Sequence, residues 1–270
     1  QDAVTAAPIR ALSATLNRDD PAPSKGTFLP ELWHWLYFLP HARESEIGPD
    51  GHPKRGGFLP PVPLPRRMWA GSRIQWLAPL SVGDEIKRES TIKSVTHKAG
   101  RTGDLIFVLV EHQISNQHGL AIIEEHDIVY RDAPGSDDKP VAPTPAPTGA
   151  TWSKTITPDD VLLFRYSALT FNGHRIHYDR KYVTEVEGYP GLIVHGPLIA
   201  TLLVDLVRQS ISGCRLKSFE FRAIRPTFDI NIFKVNAKPD LEKDPSGKTI
   251  SIWAQDHEGF LTMQATAVLA

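Results

Sequence analysis

The feature that most constrains the fold is a block of four strand-like segments that occurs twice. The first block runs through residues 72–80, 84–95, 104–116 and 120–131, and the second through residues 216–228, 229–239, 248–256 and 260–270. The segments have strand length and many β-branched residues, and a His/Gly turn precedes the last segment of each block. Pro79 in the first block also matches Pro226 in the second. The pattern predicts two copies of one β-rich unit.

Residues 132–153 separate the two blocks and are rich in proline, alanine and threonine. Such a segment is extended and semi-rigid because proline fixes φ and favours a polyproline conformation. We therefore predict an N-terminal repeat at residues 1–131, a linker at 132–153 and a C-terminal repeat at 154–270.

An apolar segment with helical spacing, at about residues 196–210, precedes the strands of the second block. In the first block the corresponding position holds aromatic and proline-rich sequence. A curled antiparallel sheet with one apolar face must bury that face, and a single central helix is sufficient for this. The expected fold is α+β, a double hotdog in which two curled antiparallel sheets each wrap a central helix and the first unit is degenerate.

Two unusual segments come before the first block. Residues 28–45 are aromatic, and their periodicity leaves helix and strand both open. Residues 48–71 contain so much proline and glycine that neither a regular helix nor a central strand can form there. A long irregular segment inside a compact protein usually forms a lid, a channel wall or a binding loop.

Charge and cysteine content exclude several classes of function. The chain has 30 basic and 31 acidic residues, which gives no bulk attraction for nucleic acid or for an anionic membrane. Its single cysteine, Cys214, excludes an internal disulfide and a cysteine-rich zinc site. No apolar run approaches the length of a membrane span. We expect a cytoplasmic protein, or one of the mitochondrial matrix if the source is eukaryotic.

The polar residues with chemical potential are concentrated between residues 161 and 205. The stretch FRYSALTFNGHRIHYD at 164–179 is followed by YPGLIVHGPLIATLL at 189–203. Together they resemble the MaoC-like hydratase and dehydratase class of hotdog proteins. The resemblance is closest to the branch with mitochondrial 3-hydroxyacyl-thioester dehydratase type 2 and the mesaconyl-CoA and itaconyl-CoA hydratases. Residues 56–84 also resemble that branch, so the similarity covers nearly the whole chain.

The class pattern Ser-Gly-Asp-x-Asn-Pro-Leu/Ile-His falls on residues 170–177, which we term the hydratase motif. The resemblance implies that His177 is the catalytic histidine, whose imidazole exchanges a proton near neutral pH. Asn172 stands where the class has a catalytic aspartate. Because an amide is not a Brønsted base, we expect Asn172 to orient water while His177 handles the proton, with His174 or Asp179 tuning it.

The resemblance also assigns an oxyanion-binding role to the backbone N–H of Gly196. A helix N-terminus has free N–H donors and partial positive charge, which would polarise a thioester carbonyl. The expected substrate-binding residues are Arg165, Tyr166, His174, His195 and Arg222. The residues expected to shape the acyl pocket from the N-terminal repeat are Trp33, Trp35, Pro60, Pro61 and Trp69. No metal or other cofactor is expected.

The resulting prediction is a hydro-lyase that adds or removes water across an α,β-unsaturated acyl thioester. The favoured substrate is a short branched dicarboxylyl-CoA such as mesaconyl-CoA or itaconyl-CoA, and the alternative is a 3-hydroxyacyl carrier-protein thioester of fatty acid synthesis. Two other classes remain open: a thioesterase using Glu185, Glu187 or Asp205, and a non-catalytic acyl-CoA-binding module. The expected partner is the thioester substrate alone, without nucleic acid or membrane, and the expected assembly is a homo-oligomer.

Overall fold

Antiparallel strands dominate the computed structural model, which describes residues 1–100, 103–132 and 142–270. Within these residues ten strands form one sheet. The strands are β1 (Asp2–Ala3), β2 (Arg66–Trp76), β3 (Glu85–Gly100), β4 (Gly103–Asn116), β5 (Gly119–Arg131), β6 (Trp152–Ile156), β7 (Leu216–Ala223), β8 (Phe233–Pro239), β9 (Thr249–Gln255) and β10 (Leu261–Leu269). The helices are α1 (Ala6–Thr15), α2 (Asp160–Leu169), α3 (Arg180–Glu185) and α4 (Gly196–Ser210).

The sheet has two halves with the same internal strand order. The N-terminal half runs β3-β4-β5-β2, the C-terminal half runs β7-β10-β9-β8, and β2 pairs with β7 to join them. The eight strands predicted from the sequence are present. The expectation that residues 48–71 hold no central strand was wrong, because β2 begins at Arg66 and lies between β5 and β7. Gly71 lies at the junction, where an added Cβ would come within 2.4 Å of the Phe221 carbonyl oxygen. Only glycine lets the two backbones approach this closely.

Helix α4 fills the concave face of the C-terminal half. The helix begins at Gly196, has Pro197 in its first turn and is buried without interruption from Leu198 to Val207. It packs against β8, β9 and β10. A helix that is apolar on nearly all sides belongs in a core, as the sequence predicts for residues 196–210.

The N-terminal half is covered differently. The aromatic segment at 28–45, for which helix and strand were both open, forms a short 3₁₀ turn at Trp33–Leu36, and His34 and Trp35 of this turn contact Glu124 on β5. Its flanking residues Leu32 and Phe38 have φ of 70° and 57°. Positive φ is strained for side chains of this size, and such strain persists where the surrounding contacts hold the chain in place.

The proline-rich segment closes over this half in two places. Val62 and Leu64 form a small apolar cluster with residues of β4 and β5. Gly51, at a φ of 88°, packs so tightly on the hydratase motif that an added Cβ would lie 1.8 Å from the Gly173 carbonyl oxygen. The Arg175 amide also donates to the Asp50 carbonyl at 2.9 Å. The segment thus connects the first repeat to the motif of the second.

The predicted linker is described in part. Residues 133–141 lie outside the described residues. Beyond them, Pro145 bridges Phe260, and Trp152 begins the edge strand β6. None of the described helices is both long and apolar enough to cross a bilayer.

Candidate active site

A cavity of about 860 Å³ has walls from both repeats. The C-terminal repeat contributes Ser167, Asn172 and Pro197, and the N-terminal repeat contributes Trp35 and Trp69. Two of the aromatic residues expected to shape the acyl pocket, Trp35 and Trp69, thus line this cavity.

Three other residues expected in that wall lie elsewhere. Trp33 is only 1% exposed and belongs to the main core, where it packs beneath the Arg208 guanidinium. Pro60 and Pro61 do not border the cavity, because their segment is anchored by Val62 and Leu64 against β4 and β5. The prediction was wrong for these positions because sequence alone does not tell which side of an irregular segment faces inward.

His177 ends the 3₁₀ turn Arg175–His177 and is 8% exposed. Its Nδ1 lies 2.7 Å from the Ile193 carbonyl oxygen. Because a carbonyl only accepts, Nδ1 carries the proton and Nε2 keeps a lone pair. Burial lowers the pKa of His177 to about 4, so the ring is neutral at pH 7. This is the tautomer and protonation state of a general base.

His195 stacks on His177, with ring centroids 3.8 Å apart and an interplanar angle of 18°. Its Nε2 is 2.8 Å from the Ser167 hydroxyl, which borders the cavity. Burial, followed by the neighbouring histidines, holds the pKa of His195 well below its usual value. The two stacked rings are therefore both neutral, and His195 connects His177 to the cavity wall through Ser167.

Asn172 follows Phe171, which has a φ of 48° and, like Phe38, borders the cavity. The Asn172 side-chain oxygen accepts from the His174 amide at 3.0 Å, which forms an Asx turn. This bond leaves the side-chain amide nitrogen as the group able to donate. An Asn172 that borders the cavity can therefore donate to a water or a substrate oxygen, but it cannot remove a proton.

His174 lies between the motif and the proline-rich segment. Its ring is 5.4 Å from that of His177 and 3.9 Å from that of His52, centroid to centroid. Burial lowers the pKa of His174 to about 2. One ligand atom each from Asp50, His52 and His174 lies within 4.8 Å of the others. These three side chains are of types that can hold a metal ion, and the His52 and His174 rings are tilted by 33° to each other.

Gly196 opens α4, next to the cavity residue Pro197. An added Cβ at Gly196 would meet no atom within 4 Å, so space is open in front of this backbone. The first N–H groups of a helix lack intrahelical partners. The position therefore has both the donors and the room that an oxyanion site requires.

The remaining predicted residues are dispersed. Tyr166 is buried, borders the cavity and lies edge-on to His195 at 5.1 Å, and burial raises its pKa. Arg165 is exposed in a separate groove between α1 and α2. Arg222 is exposed on β7, on the face opposite the buried Phe221. The structure therefore does not bring the two predicted arginines to the cavity.

The acidic residues considered for other roles have structural partners. Asp179 accepts from the Tyr182 amide as the N-cap of α3 and pairs with Arg175. Among the thioesterase candidates, Asp205 pairs with Arg18, and Glu187 accepts from the Tyr182 hydroxyl at 3.0 Å. Neither these two nor Glu185 borders the cavity.

Sequence reasoning missed a row of polar side chains on the cavity face of the N-terminal half. Glu124 on β5 is 2% exposed and accepts from Trp35 at 2.9 Å, while His34 and His126 approach it to 2.9 and 2.6 Å. Burial alone would raise the pKa of Glu124. The charges and hydrogen bonds of His126 and His34 outweigh burial and lower that pKa well below its usual value.

The row continues onto β4 and β3. His112 pairs with Glu124 across the strands, and its Nδ1 is 2.7 Å from the Ser90 hydroxyl. Burial lowers the pKa of His112 to about 4. A signal for this row existed in the sequence, since His112 and Glu124 occupy strand positions whose neighbours two residues away, Ile114 and Ile122, are buried.

Known proteins resemble this chain over most of its length. A family model described as hydroxyacyl-thioester dehydratase type 2 matches residues 32–229. A mesaconyl-C(4)-CoA hydratase from Chloroflexus aurantiacus is 46% identical over 100% of this chain and 94% of its own length. The mitochondrial hydroxyacyl-thioester dehydratase type 2 of Schizosaccharomyces pombe is 28% identical over 84% of this chain and 85% of its own.

The chain belongs to the hydroxyacyl-thioester dehydratase type 2 family. It is therefore a lyase of the hydratase and dehydratase type, and the predicted resemblance and enzyme class are confirmed.

The fold of this family member is that of MaoC-like dehydratases. A solved structure of a MaoC-like dehydratase from Phytophthora capsici superposes with a TM-score of 0.66 at 14% identity, over 100% of this chain and 94% of that one. The predicted α+β hotdog class is confirmed at this level. The roles of His177, Asn172 and Gly196 stay predictions, which the site geometry makes specific.

Proposed function

We propose that the protein hydrates the double bond of a short branched dicarboxylyl-CoA, with mesaconyl-CoA or itaconyl-CoA as the substrate. The observation that carries the proposal is the cavity that joins the hydratase motif and the N-terminus of α4 to the aromatic wall of the first repeat. The 46% identity to a mesaconyl-C(4)-CoA hydratase supports the choice of acyl group.

In the proposed reaction a water oxygen bonds to the β-carbon as the carbon–carbon π bond breaks, and His177 returns the proton that it takes from this water to the α-carbon. The neutral His177 uses its Nε2 lone pair to take a proton from water, since Nδ1 is committed to the Ile193 carbonyl. The amide of Asn172 positions the water. The backbone N–H of Gly196 stabilises negative charge that develops on the thioester oxygen.

His177 itself does not border the cavity, although Asn172 and Gly173 do. The proposal therefore requires the segment around Gly51, which packs on Gly173, to shift when the thioester binds. This segment is held to the hydratase motif by the packing of Gly51 on Gly173 and by the hydrogen bond from the Arg175 amide to the Asp50 carbonyl. Both are contacts between backbone groups outside the core, so they can separate without disrupting it.

We further propose that the two halves are a double hotdog, with residues 1–131 and 154–270 as its units and 132–153 as the connection. The shared strand order of the two halves supports this assignment. The C-terminal unit then carries the reacting groups and the first unit holds the acyl group. This division follows from the presence of the hydratase motif in one repeat only.

The test follows loss of the enoyl-thioester absorbance with mesaconyl-CoA, itaconyl-CoA and crotonyl-CoA. We expect hydration of a dicarboxylyl-CoA at a higher kcat/KM than crotonyl-CoA. Hydration limited to crotonyl-CoA and longer chains would replace the proposal with the fatty-acid substrate. Release of free CoA would replace it with a thioesterase, and binding without turnover would replace it with a binding module.

A further inference from the structure

The cavity extends to one cation that neither the hydratase motif nor the proposed reaction uses. Arg88 on β3 is the one lysine or arginine among the described residues that border the cavity. Its side chain is on the same face of the sheet as Ser90, two residues along the strand, which contacts His112. Arg88 therefore belongs to the polar row on the N-terminal half.

The guanidinium of Arg88 is held in place but not neutralised. It lies over the Phe38 ring at 5.0 Å, and its Nη2 is 3.4 Å from the Phe38 carbonyl oxygen. The strained backbone of Phe38 is fixed in turn by Asp2, whose carboxylate accepts from the Phe38 amide at 2.7 Å. No carboxylate of the described residues lies within ion-pair distance of Arg88. Most of its N–H donors are therefore available to a ligand.

The buried carboxylate of the row, Glu124, acts on Arg88 electrostatically but does not form an ion pair with it. The oxygens of Glu124 are already engaged by three partners, Trp35, His34 and His126. Glu44, the other acidic residue of the wall, is exposed to solvent. Arg88 itself is exposed to solvent, and its neighbours Phe38 and Ile114 on the cavity wall are apolar, so a carboxylate bound here would make a charge-assisted contact with the guanidinium.

We propose that Arg88 binds the free carboxylate of the acyl group and makes the N-terminal half of the sheet a specificity subsite for dicarboxylyl thioesters. This inference rests on the proposed function, which supplies a substrate with such a carboxylate. Guanidinium matches a carboxylate in a bidentate geometry that a lysine ammonium cannot reproduce. Arg88 is a specificity residue and has no part in the proton transfers.

The experiment compares the full chain with Arg88→Gln, Arg88→Lys and Lys87→Gln. Lys87 is the matched control because it precedes Arg88, faces the other side of the strand and pairs with Glu89 at 3.0 Å. Hydration of mesaconyl-CoA and crotonyl-CoA is measured together with the binding of succinyl-CoA and butyryl-CoA by calorimetry. Succinyl-CoA and butyryl-CoA have acyl chains of equal length without a double bond, and they differ in that only succinyl-CoA has a terminal carboxylate.

For Arg88→Gln we expect kcat/KM on mesaconyl-CoA to fall about 10- to 100-fold, chiefly through KM, and succinyl-CoA affinity to fall by a similar factor. Crotonyl-CoA hydration and butyryl-CoA affinity should change less than about threefold, and Arg88→Lys should fall between Arg88→Gln and the wild type. Lys87→Gln should match the wild type in all four measurements.

Equal losses on both members of each pair would overturn the subsite and leave the proposed function intact. The subsite would also be overturned if the wild type bound succinyl-CoA no more tightly than butyryl-CoA, whatever its rate of hydration. The wild type could also hydrate no dicarboxylyl-CoA while Arg88→Gln binds succinyl-CoA more weakly than the wild type does. In that case the proposed substrate is wrong and the carboxylate subsite is supported.

Discussion

The two halves of the sheet share a strand order but differ in the elements that cover their concave faces. In the C-terminal half, α4 fills the face with aliphatic side chains that are buried from Leu198 to Val207. In the N-terminal half the face carries Ser90, His112, Glu124 and Arg88 and borders a cavity of about 860 Å³.

This difference shows that one strand order supports either a core or a binding site, depending on whether a long apolar helix or a short turn covers the concave face. Replacing a central helix by a 3₁₀ turn at Trp33–Leu36 removes apolar volume and leaves room for a ligand. Three polar side chains of this region, His34, Trp35 and His126, direct a hydrogen-bonding group to Glu124. The N-terminal half therefore has less apolar packing on its concave face, and it has polar side chains there that can bind a substrate.

The largest expected effect is on catalysis and distinguishes the hydratase motif, which reacts, from the N-terminal half, which recognises the acyl group. His177→Ala should lower kcat/KM about 1000-fold on mesaconyl-CoA and by the same factor on crotonyl-CoA, because it removes the base whatever acyl group is bound. His257→Ala, an exposed histidine of the β9–β10 turn, should leave both rates unchanged. A His177→Ala loss confined to dicarboxylyl substrates would place recognition, and not chemistry, at the motif.

The next largest effect compares packing in the two halves. Ile252→Ala on β9, where the side chain is 0% exposed beneath α4, should reduce the free energy of unfolding by about 3 to 4 kcal/mol. Ile114→Ala on β4 should cost about 2 kcal/mol or less, because its side chain already borders the cavity. Urea unfolding of both variants gives the comparison. Equal losses would mean that the N-terminal half is packed as a core.

A smaller effect concerns the buried carboxylate of the polar row. Glu124→Gln should reduce the free energy of unfolding by about 2 kcal/mol, because the amide cannot accept from all three donors now held by the carboxylate. Glu125→Gln is the control, since this neighbour faces the other side of β5 and forms a partly exposed pair with Arg73. Thermal unfolding measures both variants. If Glu125→Gln destabilises the protein as much as Glu124→Gln or more, the buried carboxylate does not stabilise the polar row.

The smallest effect is in the pH dependence of catalysis near neutrality. With a His177 pKa of about 4, the base is already neutral at pH 6, so kcat/KM should vary less than about twofold between pH 6 and 8 and fall tenfold per unit well below pH 4. If kcat/KM instead rises as the pH increases through 6.5, the pKa of His177 is close to that of a free histidine. Burial then does not lower this pKa in the active enzyme.

Stability should respond to the same histidines over a defined interval. Burial lowers the pKa values of His112 and His177 to about 4 each. Below about pH 6.5 the unfolded chain takes up protons that the folded chain does not, so the free energy of unfolding should decrease as pH falls from 6.5 to 4. Chemical denaturation at several pH values measures the slope, and replacing His112 by Gln should reduce it.

Much of the fold could be predicted because its determinants are local. Strand length, the hairpin ending at Gly119 and the apolar run of α4 are each encoded within a short stretch of sequence, and all three appear in the structure. The hydratase motif likewise identified His177 and Asn172, because its residues are close in the chain, and Gly196 was identified at the start of the apolar run. The 3₁₀ turn at Trp33–Leu36 was left open, since four residues are too few for periodicity to distinguish helix from strand.

The sequence by itself determined the repeated strands, the helix at Gly196 and the residue types available for catalysis, because propensity and short motifs act over a few residues. Only the tertiary structure decided that Arg88 and not Arg222 faces the cavity, and that His34, His126 and Trp35 meet on Glu124. Those contacts join residues up to 90 positions apart. They depend on strand register and on the face each side chain takes, which are fixed when the whole sheet packs.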